Sequence, residues 1–472
     1  MTLVHRVLYP MPILSLDEYV TRGGGKGIEA VERLTGEEVI ARVLESGLRG
    51  RGGAGFPTGL KWQTVAGNWR PDVPSTVVVN AAEGEPGTFK DRTILRRNPY
   101  LVIEGAIIAA RAVSADLVIV ATKQAFEGEV ERLRTAMGEA VDAGWAEGLK
   151  MRVFEGPNEY LFGEESALLE TIDGRWPFPR VVPTFRRGLE ATTAEEVQPG
   201  PALVNNVETL SNVARIVARG PAWYRTVGTD DSPGTVVCTV TGATRTHGVG
   251  EVRLGTPLRE VIDAIGGGPR EGHSIKAVLS GVSSGVIMAH ELDTPVTYEA
   301  LGDIGAGVGS GGFMVFDDST DMAAVAAGVS RFLAVESCGQ CLPCKLDGLI
   351  LSQRLEQLCT SDTGDHDAAE IDKRLTSVSA RARCFLASQQ EAVVGSIRER
   401  FPEDFDAHLR ALAPPVEPAL VAELVDIRGG RAYPDDRQLT KHPDWTYGAR
   451  DSGSVPVEKY HALTPPWRAS LV

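Results

Sequence analysis

The run Glu336-Ser-Cys338-Gly-Gln-Cys341-Leu-Pro-Cys344 constrains this chain more than any other stretch. It is a C-x-x-C-x-x-C pattern, and three thiolates on one tight loop can hold three corners of an iron–sulfur cube. A bacterial ferredoxin run supplies a further Cys four positions later, but Gly348 stands there. The fold must therefore bring a fourth ligand from elsewhere, and Cys238, Cys359 and Cys384 are available. Zinc held by four cysteines is the competing reading; three reduced, buried thiols without metal is the plainest one. Cys359 closes the leucine-rich stretch LILSQRLEQL and reads as core, and Cys238 lies in a predicted strand. Six Cys among 472 residues make no disulfide framework.

Composition narrows the rest. With 43% hydrophobic and 24% charged residues, the chain is neither disordered nor fibrous. Its length suits about three domains. The net charge of −15 argues against nucleic acid or anionic lipid as the main partner. The first 17 residues are broken by Pro10 and Pro12 and show no cleavage site, so no signal peptide is expected. No apolar run reaches the ~18 residues of a membrane span. The expected location is cytoplasmic, with no direct membrane insertion and membrane association only through partners.

The periodicity predicts a helix over 37–48, strands at 75–80, 116–121 and 151–154, and helices at 100–113 and 124–143. This β–α alternation argues for a parallel sheet covered by helices. From about 234, short strands with one helix near 257–265 suggest a small α+β domain. Residues 320–411 read as helices around the cysteines, and the Pro-, Asp- and Arg-rich tail from Pro414 reads as an extended arm.

Gly50-Arg-Gly52-Gly53-Ala-Gly55 satisfies G-x-G-x-x-G, yet a helix precedes it and Phe56-Pro57 follows. A standard Rossmann unit needs a strand before the loop and a helix opening within it. The loop can still offer backbone N–H groups to phosphate and let a flat ring approach closely, with Arg51 and Lys61 adding positive charge. A plain Gly-rich turn is the bland alternative, but six Gly fall within 47–62. Further on, Asn80-Ala-Ala-Glu83-Gly-Glu85 follows a predicted strand, at the edge where open α/β sheets bind ligands. Tyr160-Leu-Phe-Gly163-Glu164-Glu165 and Val204-Asn205-Asn206-Val207-Glu208-Thr209 carry carboxylates and amides suited to a ring or ribose edge. Helix capping and solvated charge are the plainer account of Glu164 and Glu165 taken alone, and the paired Asn can equally be turn residues.

Together the runs at 47–62, 80–92, 160–169, 204–212, 292–312 and 336–344 resemble the family of NADH-binding FMN/[4Fe–4S] flavoprotein subunits of respiratory complex I, including the diaphorase subunits of soluble NAD-linked formate dehydrogenases and hydrogenases. The resemblance covers about 47–390 and implies FMN, NAD(H) and one [4Fe–4S] cluster. It implies an α/β FMN- and NAD(H)-binding domain over 1–214 that is not a standard Rossmann fold. A β-grasp-like domain over 215–300 and a helical cluster-bearing domain over 301–413 follow, with the arm at 414–472. By family pattern the cluster ligands are Cys338, Cys341, Cys344 and Cys384. The implied FMN contacts are Gly50, Gly52, Lys61, Asn80, Glu83, Tyr160, Gly163, Glu164, Asn205, Asn206 and Thr209. The implied dinucleotide contacts are Gly53, Phe56, Lys61, Glu85, Glu165 and Phe185.

The chain departs from the family pattern at Ala82, usually Asp, and at Thr64, often aromatic; residues 186–203 look longer than usual. The implied function is hydride exchange between NAD(H) and FMN, with electrons passed singly to the cluster. Implied partners are a separate [2Fe–2S] thioredoxin-like subunit and a further iron–sulfur or catalytic subunit of formate dehydrogenase, hydrogenase or complex I type. Two other functions remain open: a flavin and iron–sulfur relay that does not bind NAD, and a structural scaffold around zinc.

Overall fold

The computed structural model describes residues 3–71, 73, 75–190, 199–360, 368–448 and 450–467. Four strands, β1 (Ser75–Ala81), β2 (Ala115–Lys123), β3 (Lys150–Gly156) and β4 (Ala202–Asn206), form one sheet in the order β3-β2-β1-β4. All three pairings are parallel. Val77, Val78 and Val79 of β1 are fully buried, as a central strand covered on both faces requires. The chain leaves β1 toward β2 on one side and returns as β4 on the other. The carboxyl ends of β1 and β4 therefore flank a topological switch point, where open sheets bind ligands.

The helices over this sheet follow from local sequence. Thr35 and Glu38 form a capping box that starts Gly36–Ser46; Val39, Ile40 and Val43 fall on its buried face, and Gly47 ends it at φ +72°. Pro99–Ala112 is almost wholly buried. It lies so close to Val207–Arg219 that a Cβ on Gly105 would stand 2.0 Å from the carbonyl oxygen of Leu210.

The second sheet contains β5 (Thr235–Gly242), β6 (Gly248–Arg253), β7 (Ile275–Ser280), β8 (Ile287–Met288) and β9 (Gly312–Asp317), in the order β6-β5-β9-β7-β8. Only the β5–β9 pair is parallel. The helix Leu258–Gly266 buries Leu258, Val261 and Ile262 against it. The central strand β9 lies beyond residue 300, so this sheet runs past the boundary expected there. The Gly run before β9 allows the insertion: a Cβ on Gly311, at φ +75°, would stand 2.5 Å from the Val237 carbonyl.

Met322–Glu336, Gly348–Thr360, Ala368–Ser377, Leu386–Arg400 and Pro402–Leu409 then pack around a separate core. From residue 414 the described residues form an antiparallel hairpin, β10 (Leu424–Arg428) and β11 (Arg431–Pro434), then a short turn of helix at Asp436–Thr440 and a helix at Pro456–Tyr460, joined by irregular chain. This arm buries Trp445 in the helical core rather than building a core of its own. Among the described residues no helix is long and apolar enough to cross a membrane.

Gly105→Ala tests the contact between the 99–112 and 207–219 helices. Ala gains about 1 kcal/mol of helix propensity over Gly, but the two backbones must part. Calorimetry should show a net loss of about 1–3 kcal/mol and a lower Tm.

Candidate functional site

The glycine loop joins Gly36–Ser46 to Thr58–Gly67. Its neck is closed by Gly50 N–H donating to Phe56 O (2.8 Å) and Thr58 N–H donating to Leu48 O (2.9 Å). Arg51 N–H donates to Thr209 Oγ1 at 2.9 Å, pinning the loop to the start of the 207–219 helix. Tyr298 packs against Gly55, where a Cβ would stand 2.4 Å from the ring, and its hydroxyl donates to Gly50 O at 3.0 Å. Between these anchors, the N–H groups of Gly52, Gly53, Ala54 and Gly55 donate no hydrogen bond among the described residues. A Cβ on Gly53 would meet nothing within 4 Å. Successive unpartnered N–H groups over open space suit a phosphate or the edge of a flat ring.

The ends of β1 and β4 face this loop. Asn80 pairs in register with Asn206. Asn205 Oδ1 accepts from Trp62 Nε1 at 2.8 Å, and among the described residues its amide N–H group has no partner. Asn80 Nδ2 donates to Gly163 O at 2.8 Å. Lys61 Nζ stands 2.6 Å from Glu165 Oε2, and Thr184 Oγ1 donates to Glu165 Oε1 at 2.5 Å. Phe185 adjoins Thr184 and packs at the edge of the main core. Phe56 is 54% exposed beside the loop. Glu85 accepts from the Tyr160 hydroxyl (2.7 Å) and from Val282 N–H (2.7 Å); desolvation pushes its carboxyl up against these bonds.

Several residues read as ligand contacts also hold the site together. Arg51 is no phosphate ligand: its buried guanidinium donates to Thr235 O and to the Tyr224 and Tyr298 hydroxyls, tying the loop to the second sheet. Glu83 is buried against Arg92 at 2.9 Å and accepts from Asp91 N–H. Glu164 caps the Glu165–Ile172 helix by accepting from Ser166 and Ala167 N–H. Asn206 caps the 207–219 helix and donates to Asp91 Oδ2 at 2.6 Å. Lys90, bonded to Asp91 (2.7 Å) and Glu208 (2.9 Å), completes a buried charge cluster that sequence reasoning missed. Ala82 is buried, and Thr64 turns its hydroxyl back to Leu60 O on an exposed helix face.

Cys338, Cys341, Cys344 and Cys384 line one cavity with Leu161, Pro179 and Leu386. Cys359 lies buried in the helical core and Cys238 in β5, outside that lining. Four thiolates on tetrahedral zinc stand about 3.8 Å apart, given Zn–S of about 2.3 Å. Among the described residues no three of these sulfurs lie within 4.8 Å of one another. Without metal, the thiols are thus spaced more widely than on one tetrahedral zinc ion. Burial pushes the metal-free thiols up, Cys344 to about 11 and Cys384 to about 12, so metal must displace their protons. Among the described residues His273, Asp317 and Asp318 do have single-ion spacing, but the Arg270 guanidinium already stands 2.5 Å from Asp317.

The turn Tyr160–Gly163 touches both sites. Tyr160 bonds Glu85, Gly163 O accepts from Asn80, and Leu161 lines the cysteine cavity.

Comparison with known proteins agrees with this division. The family model of the Nuo51 FMN-binding domain matches residues 43–215. The model of the NADH-ubiquinone oxidoreductase-F iron-sulfur binding region matches 324–408. The F 2 component of NADH-quinone oxidoreductase from Rhizobium meliloti (strain 1021) is 35% identical over 411 residues, 84% of this chain and 94% of its own. The HndC component of the NADP-reducing hydrogenase of Solidesulfovibrio fructosivorans is 34% identical, over 84% of this chain and 81% of its own. A crystal structure of NAD+-reducing [NiFe]-hydrogenase in the H2-reduced state superposes with a TM-score of 0.73 at 30% identity, covering 86% of this chain and 68% of that one.

Replacing any of Cys338, Cys341, Cys344 or Cys384 by Ser should abolish most bound iron and the visible sulfur-to-iron absorbance. Cys238→Ser and Cys359→Ser should keep both. Iron analysis and absorption spectra of the six variants decide this.

Proposed function

The chain belongs to the F-component family of NADH-quinone oxidoreductases, and on that premise we propose how its residues divide the work of NADH oxidation. It is an FMN- and [4Fe–4S]-binding NADH dehydrogenase subunit, one component of a multisubunit complex. When bound, FMN would supply a two-electron hydride acceptor and the cluster a one-electron acceptor. The one observation that carries the assignment of residues is the Tyr160–Gly163 turn, which borders both the glycine-loop site and the four-thiol cavity.

In this reading the Gly52–Gly55 N–H groups and Lys61 receive phosphate oxygens, and the Asn205 amide receives the flavin edge. Gly50, Gly163 and Asn80 let backbone and ring approach closely. Glu83, Glu164, Asn206 and Thr209 act one step removed, holding the loop and strand ends in place. Phe56 and Phe185 offer ring surfaces to the dinucleotide, with Glu85 and Glu165 as hydrogen-bond acceptors. No side chain need act as acid or base, because orientation of the two rings is the protein's contribution. Cys338, Cys341, Cys344 and Cys384 hold the cluster.

The strand order of the second sheet, with its parallel central pair and single covering helix, supports a β-grasp-like description. Leu342, Leu346 and Phe385 are 62%, 48% and 64% exposed, each beside a cysteine of the cavity. This apolar face fits the further iron–sulfur or catalytic subunit of a formate dehydrogenase, hydrogenase or complex I assembly, with a separate [2Fe–2S] subunit also in the complex.

Reconstituted with FMN, the chain should show flavin absorbance that NADH bleaches. Phe56→Ala should keep its flavin yet raise KM for NADH about 3- to 10-fold, the worth of one ring contact. Flavin that dithionite bleaches and NADH does not would favour the relay that lacks NAD.

A further inference from the structure

Residues 414–467 have no part in the function above, and both family models end before them. Yet their hydrogen bonds reach every other body of the molecule. Glu423 pairs with Lys123 at the end of β2 at 2.5 Å. Gly430 O accepts from His247 N–H in the connection between β5 and β6 of the second sheet. Arg331 of the 322–336 helix donates to Gln438 O at 2.6 Å, and Trp445 Nε1 donates to Val335 O at 3.0 Å. Val457 N–H donates to Cys338 O at 3.0 Å. Val455 fills the space over Gly339, where a Cβ would stand 2.6 Å from it. The arm is thus one wall of the cysteine loop.

At the centre of this wall is Lys441. Its Nζ stands 2.8 and 2.9 Å from the two oxygens of Glu336, and both side chains are 2% exposed. Gln438 Nε2 adds a third bond to Glu336 at 3.1 Å. Glu336 stands two residues before Cys338, and its Oε2 accepts from Tyr160 N–H at 3.4 Å. Nearby, Lys345 Nζ donates to the carbonyls of Ala334, Val335 and Ser337 at 3.0, 3.2 and 2.9 Å. The carboxylate therefore lies among two buried cations, the flavin-side turn and the cysteine loop. A carboxylate so enclosed is costly without its partner, and a buried charge this close to a cluster bears on its reduction potential.

We propose that Lys441 is a positioning residue for electron transfer: through Glu336 it locks the Tyr160 turn against the cysteine loop, and its charge tunes the cluster. The proposal rests on the reading that the four cysteines hold a [4Fe–4S] cluster.

The test is an EPR-monitored redox titration of the full-length holoprotein, with iron content measured in parallel. Lys441→Met removes a buried cation and should move the cluster midpoint to more negative potential. Glu336→Gln removes the carboxylate and should move it to more positive potential. The double variant should return toward the parent value, and Lys441→Arg should stay near it. If Lys441→Met loses its cluster, the comparison of Glu336→Gln with the double variant gives the same answer. An unchanged midpoint in Lys441→Met, or shifts of the same sign in both single variants, would overturn the role of Lys441. A parent chain that binds no iron would instead overturn the cluster reading.

Discussion

One four-residue turn, Tyr160–Gly163, carries the relation between the two halves of this molecule. Electrons pass only across short separations, so the flavin-side residues and the thiols must be held in one frame. The turn does this with bonds in both directions: Tyr160 to Glu85, Asn80 to Gly163, and Leu161 into the cysteine cavity. Tyr160 also meets the helical region, its ring 5.2 Å edge-on to Phe332 and its hydroxyl 3.0 Å from Gln389 Nε2. The turn is thus fixed by the sheet on one side and by the helices on the other.

Around this frame, buried charges serve mainly to hold loops. Arg51 fastens the glycine loop to the second sheet, Arg92 fastens Glu83, and Lys90 fastens the ends of β1 and β4 through Asp91 and Glu208. Each is paired and hydrogen-bonded, as a charge out of water must be. The consequence for function is that, among the described residues, the loop N–H groups and one strand-end amide stay uncommitted, because other groups hold the loop and strand ends in place.

Local patterns made much of this legible. The strands at 75–80 and 116–121 announce themselves by β-branched runs, and the cysteine spacing announces metal. What the sequence hides is who bonds whom across a hundred residues or more. Arg51 beside a glycine loop looks like a phosphate ligand, yet its partners are Thr235, Tyr224 and Tyr298. Glu164 looks like a cofactor contact, and its carboxylate also caps a helix. Strand β9 follows a Gly run that resembles a loop, and only its pairing with β5 and β7 reveals a central strand. The arm hides most: Pro- and Arg-rich composition marks it as extended, while the burial of Lys441 and Trp445 depends on surfaces supplied by distant elements.

The central claim is that one chain takes electrons from NADH in pairs and holds them in two connected sites. An anaerobic NADH titration of the holoprotein to its endpoint, followed by absorbance and EPR together, tests it most directly. The flavin holds two electrons and the cluster one, so about 1.5 equivalents of NADH per chain should complete the reduction, with flavin bleaching and the cluster signal both developed. An endpoint near one equivalent with no cluster signal would show that the two sites are not connected, and no bleaching at all would contradict the account at its root.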